Sequence, residues 1–291
     1  MMDNMIEPRV IELPKFLDER GNLSFFENDN QLPFAIKRVH WIYDVPGGEE
    51  RGGLAYKETE EFVVAMSGSF DVLVDDGKQQ YHFSLNRSYK GVYIPAGTWR
   101  TITNYSTNAV AVIAASTHYD PTDAIRDYGE FKQWKPGVSV DYRCIDDRCT
   151  IEKGKYSVYD CGIITLDRHH SQRKGDISVI ENGETVPFDV KRIYYLYDVP
   201  GGESRGGHAH KELQQLIVAA SGSFAVTLDD GDVKQTFVLN RPYQGLLVKP
   251  GIWRTLDDFS SGSVCLVLAS EKYDEKDYIR VYNEYKKYRN K

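Results

Sequence analysis

The chain lacks the marks of several large protein classes. No stretch reaches the run of roughly 18 apolar residues that a membrane-spanning helix needs. The opening residues, MMDNMIEPRV, have neither the basic start nor the apolar core of a secretory signal, so a cytoplasmic protein is expected. Cysteine is scarce: four in 291 residues make no disulfide framework. Cys144 and Cys149 are separated by a few polar residues, and no second pair or histidine cluster completes a zinc pattern, so reduced thiols are expected. Positive charge is also in deficit, with 36 Lys and Arg against 43 Asp and Glu, a formal net charge of −7. That balance argues against nucleic acid or an anionic membrane as the main partner, while leaving room for a local basic pocket. What remains is ordinary for a globular protein, 41% hydrophobic and 27% charged, in a chain long enough for two domains.

The chain is a module written twice. KRVHWIYDVPGGEERGGLAYK starts at Lys37 and KRIYYLYDVPGGESRGGHAHK at Lys191, an offset of 191 − 37 = 154. The same offset relates Ser67-Gly68-Ser69-Phe70 to Ser221-Gly222-Ser223-Phe224, Trp99-Arg100-Thr101 to Trp253-Arg254-Thr255, and Ile125-Arg126 to Ile279-Arg280. An ungapped offset of this extent means duplication of a whole fold. The expected division is a first domain at 1–134, a connector at 135–155 and a second domain at 156–291.

Each copy reads as strands until its end. Short β-branched and aromatic runs, Glu61 to Met66 and Phe70 to Val74, are broken by Ser-Gly-Ser and Asp-Asp-Gly; copy two repeats the scheme. Such punctuation predicts an antiparallel barrel or sandwich, with the Asp-Gly steps at tight hairpins. A helix is expected to close each copy. Asp274 is its cap in copy two, with Tyr278, Ile279, Tyr282 and Tyr285 on one packing face. In copy one Asp120 caps, Pro121 takes the first position, and Ala124, Ile125, Tyr128 and Phe131 form the stripe.

The constellation with chemical potential is RGGHAHKELQQ, Arg205 to Gln215. Residues two apart on a strand share a face, so His208 and His210 project together. The HxH pair, followed by strands and a Pro-Gly turn, resembles the first motif of the cupin superfamily. Metal-binding cupins add a glutamate after the second histidine and a third histidine beyond the later turn. Here Gln214 and Gln215 stand at the first place, and Lys249-Pro250-Gly251-Ile252-Trp253-Arg254 has no histidine after it. Two imidazoles beside an arginine are too few ligands for a firm divalent-metal site, so no metal and no cofactor are expected. A metal-free pair suits acid–base chemistry near neutrality. Arg192, Arg205, Lys211 and Arg254 are candidates to hold an anion, Tyr194, Tyr195 and Trp253 to stack on a base or sugar, and Gln215 to bind substrate.

At PFDVKRIYYLYDV, RGGHAHKELQQ, LDDG and VLASEKYDEKDYIRVYNEYKKY, copy two resembles the dTDP-4-keto-6-deoxyglucose 3,4-ketoisomerases. The resemblance covers nearly all of Gly175 to Tyr288. It implies two tandem all-β cupin domains, each a double-stranded β-helix or jelly roll ending in a C-terminal α-helix. It also implies a dTDP-linked keto sugar as partner and isomerisation of a 4-keto sugar to the 3-keto form through an enediol(ate), feeding deoxysugar and polysaccharide biosynthesis. The family's histidine pair falls on His208 and His210, with His210 the expected base and His208 or a nearby tyrosine handling the other proton.

Copy one keeps Arg38, Arg51, Lys57, Trp99 and Arg100 but has Leu54 and Tyr56 in place of the histidines. It is a scaffold pairing with copy two as a pseudo-dimer, a nucleotide-binding site without catalysis, or a site using Tyr56 with His40 for another reaction. A higher oligomer stays open. For the whole chain, a non-catalytic sugar-nucleotide-binding or regulatory cupin and a keto-sugar epimerase stand beside the isomerase.

Overall fold

The computed structural model describes residues 7–134 and 156–290; the expected connector, with Cys144 and Cys149, lies outside the described residues. Two compact units emerge, and neither is a continuous half of the chain. Within the described residues, unit one gathers 7–13, 32–134 and 169–181, and unit two gathers 14–31, 156–168 and 182–290. The division differs from the one expected at 134 and 156 because each copy gives its early hairpin to the sheet of the other unit. An ungapped repeat shows that two hairpins are equivalent, not which sheet each one joins.

Each unit is a pair of antiparallel sheets. In unit two the larger sheet runs in the order Gly162–Thr165, Gln244–Val248, Gln215–Ser221, Val264–Ala269, Arg192–Tyr197, Gly21–Glu27, Lys15–Asp18. The smaller runs Lys234–Leu239, Phe224–Asp229, Trp253–Asp257, Arg205–His210, Tyr278–Ile279. Unit one repeats both orders, ending its larger sheet in Arg38–Tyr43, Gly175–Glu181 and Asp167–Ser171. The core lies between the sheets: Leu196, Ile217 and Val267 of the larger meet Val226, Leu228 and Leu256 of the smaller. Alternating burial along Lys234–Leu239 marks a strand with one wet face. The Asp-Gly hairpins form as expected, with Gly231 at φ 99° and its amide donating to Asp229 Oδ1 at 2.7 Å. This all-β pairing is the cupin arrangement expected for each copy. Cys161 and Cys265 are buried free thiols, and burial pushes Cys161 up to about 11.

The closing helices are shorter than the sequence pattern predicts. In unit two Asp274 caps a short 3₁₀ turn, Glu275–Asp277, and the helix spans only Tyr282–Arg289. Between them Tyr278–Ile279 is a strand paired with Ala209 and His210. In unit one Asp120 caps a turn through Thr122, Ala124–Ile125 is a strand, and the helix is Tyr128–Gln133 with Asp127 as its cap. The helical spacing of Tyr278, Ile279 and Tyr282 is therefore coincidental, and edge pairing with the histidine strand overrides it. Among the described residues no helix is long and apolar enough to cross a membrane.

Candidate active site

The histidine strand, Arg205–His210, is kinked at its start. Gly206 and Gly207 have φ of 84° and 67°, and the register against Trp253–Asp257 shifts between Gly206 and His208. A Cβ on Gly206 would lie 2.9 Å from the Arg254 carbonyl oxygen, so only glycine allows this approach. The bulge turns His208 into a cavity of about 540 Å³ whose lining belongs wholly to unit two.

Five arginines line that cavity, Arg20, Arg192, Arg205, Arg254 and Arg280, and no carboxylate does. Arg192 and Arg254 are buried, and Arg192 Nε and Arg254 Nη2 have no hydrogen-bond partner. Arg192 Nη2 donates to the Tyr278 hydroxyl at 3.3 Å, and Arg254 Nη1 to the His208 carbonyl at 3.2 Å. Arg20 and Arg280 are steadied from outside by Asp18 and Glu275. Phe16, Phe25 and Tyr273 add aromatic faces. Burial draws Arg254 and Arg205 down from their ordinary values. The arrangement suits an anionic ligand with a planar ring.

The two histidines share a face, as the spacing predicts, with ring centroids 5.1 Å apart and rings perpendicular. Their surroundings differ. His208 lines the cavity, and neither ring nitrogen has a well-formed hydrogen bond; the Gly206 carbonyl offers only slight compensation. Burial, then Arg254 and His210, holds His208 well below 6.5, so it is neutral at pH 7. His210 is 2% exposed and does not line the cavity. Its Nδ1 donates to Asp277 Oδ2 at 2.8 Å, which leaves Nε2 as an acceptor facing Gln215 Nε2 at 3.3 Å. The carboxylate favours protonation of His210, but burial and then Arg254, Arg192 and Arg280 outweigh it and keep the ring neutral. Asp277 is itself fixed, accepting from the Lys211 and Glu212 amides through Oδ1.

Of the expected binding residues, Arg192, Tyr194, Arg205 and Arg254 reach the cavity with His208. Gln215 stands behind it, donating to the Tyr194 hydroxyl at 2.7 Å. Burial pushes Tyr194 up to about 12, which keeps that hydroxyl protonated. Three residues are not brought there. Tyr195 points to the opposite face of its strand, fully buried against Tyr197, because neighbours on a strand alternate. Trp253 packs under the closing helix against Tyr282 and Tyr285, at 5.2 and 5.4 Å. Lys211 is exposed, its ammonium on the Lys276 carbonyl.

Sequence reasoning missed Arg20, Tyr273, Tyr278 and Arg280. The helical spacing predicts a packing role for Tyr278, yet its ring centroid lies 5.0 Å from that of His208 and 4.2 Å from that of His210. A signal was present: at the 154 offset, the copy that loses both histidines also has Ala124 in place of Tyr278. Arg20 was invisible because its hairpin comes from the other copy. Among the described residues no three His, Cys, Asp or Glu side chains form a metal-holding cluster.

A TDP-4-oxo-6-deoxy-alpha-D-glucose-3,4-oxoisomerase of Aneurinibacillus thermoaerophilus is 49% identical over 115 residues, 40% of this chain and 83% of that protein. A solved 3,4-ketoisomerase from Helicobacter canadensis is 41% identical, covering 45% of this chain and 98% of its own, with a TM-score of 0.44. The sugar 3,4-ketoisomerase QdtA from Thermoanaerobacterium thermosaccharolyticum, solved with TDP, is 38% identical over 46% of this chain and 97% of its own, with a TM-score of 0.45. The pattern of the FdtA family, described as WxcM-like, C-terminal, matches residues 6–136 and again 159–290. The chain belongs to that family and carries its domain twice.

Proposed function

We propose that unit two is a dTDP-sugar 3,4-ketoisomerase converting dTDP-4-keto-6-deoxyglucose to a dTDP-3-keto-6-deoxyhexose. The observation that carries the reading is a neutral His208, with no well-formed hydrogen bond to either ring nitrogen, in a cavity lined by five arginines and no carboxylate. The 49% identity to a TDP-4-oxo-6-deoxyglucose 3,4-oxoisomerase supports the substrate class.

The reaction moves one proton from C3 to C4 and one from O3 to O4, with no net change in oxidation state. His208 is the base that removes the C3 proton, since it faces the cavity and His210 does not. The electron pair of that bond enters an enediolate whose oxyanion Arg254 stabilises, with its unpartnered Nη2 as donor, while Arg192 and Arg205 hold the substrate's diphosphate. The same imidazolium returns the proton to C4. Tyr278, held by Arg192 Nη2, relays the proton between the two oxygens. His210 is a positioning residue, locked by Asp277 and Gln215 behind the reacting ring.

Incubation of the purified chain with dTDP-4-keto-6-deoxyglucose, followed by carbon NMR, tests the reading. A C3 carbonyl growing as the C4 carbonyl declines is expected. Saturable binding with no change in either signal would replace the isomerase with a sugar-nucleotide-binding protein.

A further inference from the structure

Unit one keeps every cationic position of the cavity and none of the proton-handling ones. At the offset of 154, Arg192, Arg205, Arg254 and Arg280 correspond to Arg38, Arg51, Arg100 and Arg126. The exchanged hairpins complete the set, since Arg20 of unit two corresponds to Lys174 of unit one. By contrast His208, His210 and Tyr278 give way to Leu54, Tyr56 and Ala124. The binding contacts repeat in detail. Arg51 Nη2 donates to the Gly175 carbonyl at 3.1 Å, as Arg205 Nη1 does to Gly21 at 3.4 Å. Arg38 lies 5.5 Å from the Tyr119 ring centre, and Arg192 lies 5.6 Å from that of Tyr273.

Two of the cations of unit one, Arg38 and Arg51, keep unsatisfied nitrogens. Arg38 is 3% exposed, yet neither terminal nitrogen has a hydrogen-bond partner; Arg51 Nε and the Tyr105 hydroxyl are buried and unpartnered as well. Glu61, at the position of Gln215, pairs with Arg100 through Nε and Nη2 at 2.7 and 2.9 Å. That carboxylate uses up Arg100, the counterpart of the arginine that would steady the enediolate, and leaves Arg38 and Arg51 with no carboxylate hydrogen-bonded to them. A purely structural unit would be more stable with neutral side chains there, because an uncompensated buried charge is costly.

We propose that unit one is a second, non-catalytic binding site for a nucleoside diphosphate, whose phosphate oxygens supply the acceptors that Arg38 and Arg51 lack. This rests on reading the arginines of unit two as the grip on a substrate diphosphate. A ligand sugar in unit one stays unchanged, because Leu54 offers no base and Ala124 no hydroxyl. Copy one retains its arginines because it still binds.

Titration calorimetry of the full chain with dTDP tests this. Two equivalents per chain are expected. Arg38→Gln leaves one tight equivalent and weakens the other by about tenfold or more, as loss of a charge-assisted contact should. Arg192→Gln, in unit two, retains the equivalent held by unit one. A single equivalent in the native chain, or none in Arg192→Gln, overturns the second site. Should Arg38→Gln fail to fold, those two titrations decide alone. Turnover of dTDP-4-keto-6-deoxyglucose by the native chain is read separately: one equivalent with turnover sinks only the second site, and two equivalents without turnover sink only the isomerase.

Discussion

His208 and His210 are two residues apart on a strand and differ in almost everything that chemistry uses. The inner ring is anchored by Asp277 and Gln215; the outer one faces the cavity with no well-formed hydrogen bond. The spacing alone could not rank them, because a shared face says nothing about depth. His208→Asn is predicted to lower kcat by about 10²–10⁴-fold, the range for loss of a general base. The pH profile offers a second check. The base works in its neutral form, and burial holds His208 well below 6.5. The acid limb of kcat/KM should therefore lie below the ordinary histidine value of about 6.5. A limb at that value would mean a solvated base. The same logic applies to copy one. Restoring Leu54→His and Tyr56→His in a His208→Asn chain should leave it inactive, since Glu61 still occupies Arg100 and Ala124 supplies no hydroxyl. Turnover by that variant would show that the histidines were all unit one lacked.

At the scale of elements, the bulge and the short Tyr278–Ile279 strand build the site. The Gly-Gly step before the histidines was legible as a lead-in, but its role was not, since it depends on how closely Arg254 passes. Gly206→Ala places a Cβ at 2.9 Å from that carbonyl on a backbone at φ 84°, so it should cost more than about 1 kcal/mol and lower activity as well. Gly207→Ala, with nothing within 4 Å of its Cβ, strains only its own φ and should be milder in urea denaturation. Equal effects would remove the packing argument. The closing segment shows the opposite failure of sequence reading. Tyr278 satisfies helical spacing, yet the free edge of Arg205–His210 captures it as a strand. Periodicity in a few residues cannot outweigh backbone pairing offered by a neighbouring edge.

For the whole molecule, the duplicated jelly roll was plain from the repeat, the Gly-rich turns and the alternating strands. The exchange of hairpins was not, because the two are equivalent in sequence and only the assembled sheets reveal which joins which. That exchange matters chemically, for it brings Phe16, Arg20, Leu23 and Phe25 to a cavity otherwise built from copy two. Buried neutral histidines occur in both units: burial, then Arg38, pushes His40 down to about 3, and His208 and His210 are also lowered. The unfolded chain binds protons at these groups from about pH 6.5 downward while the folded chain does not. Their contribution to stability is thus complete above that pH and is lost as pH falls toward the folded values, by up to about 1.4 kcal/mol per histidine per pH unit. Urea midpoints should drop between about pH 7 and pH 5, and less so in His40→Asn. A flat midpoint across that window would mean that the rings are not buried as neutral groups.

The most direct measurement is turnover of dTDP-4-keto-6-deoxyglucose in deuterated water, comparing the native chain with His208→Asn and with His210→Asn. The native chain should give 3-keto product carrying deuterium at C4 when the protonated His208 exchanges with solvent. His208→Asn should show neither product nor exchange, while His210→Asn, its cavity base intact, should keep slow exchange at C3. Deuterium entering the sugar in the His208→Asn chain, but not in the His210→Asn chain, would contradict the assignment of His208 as the proton carrier.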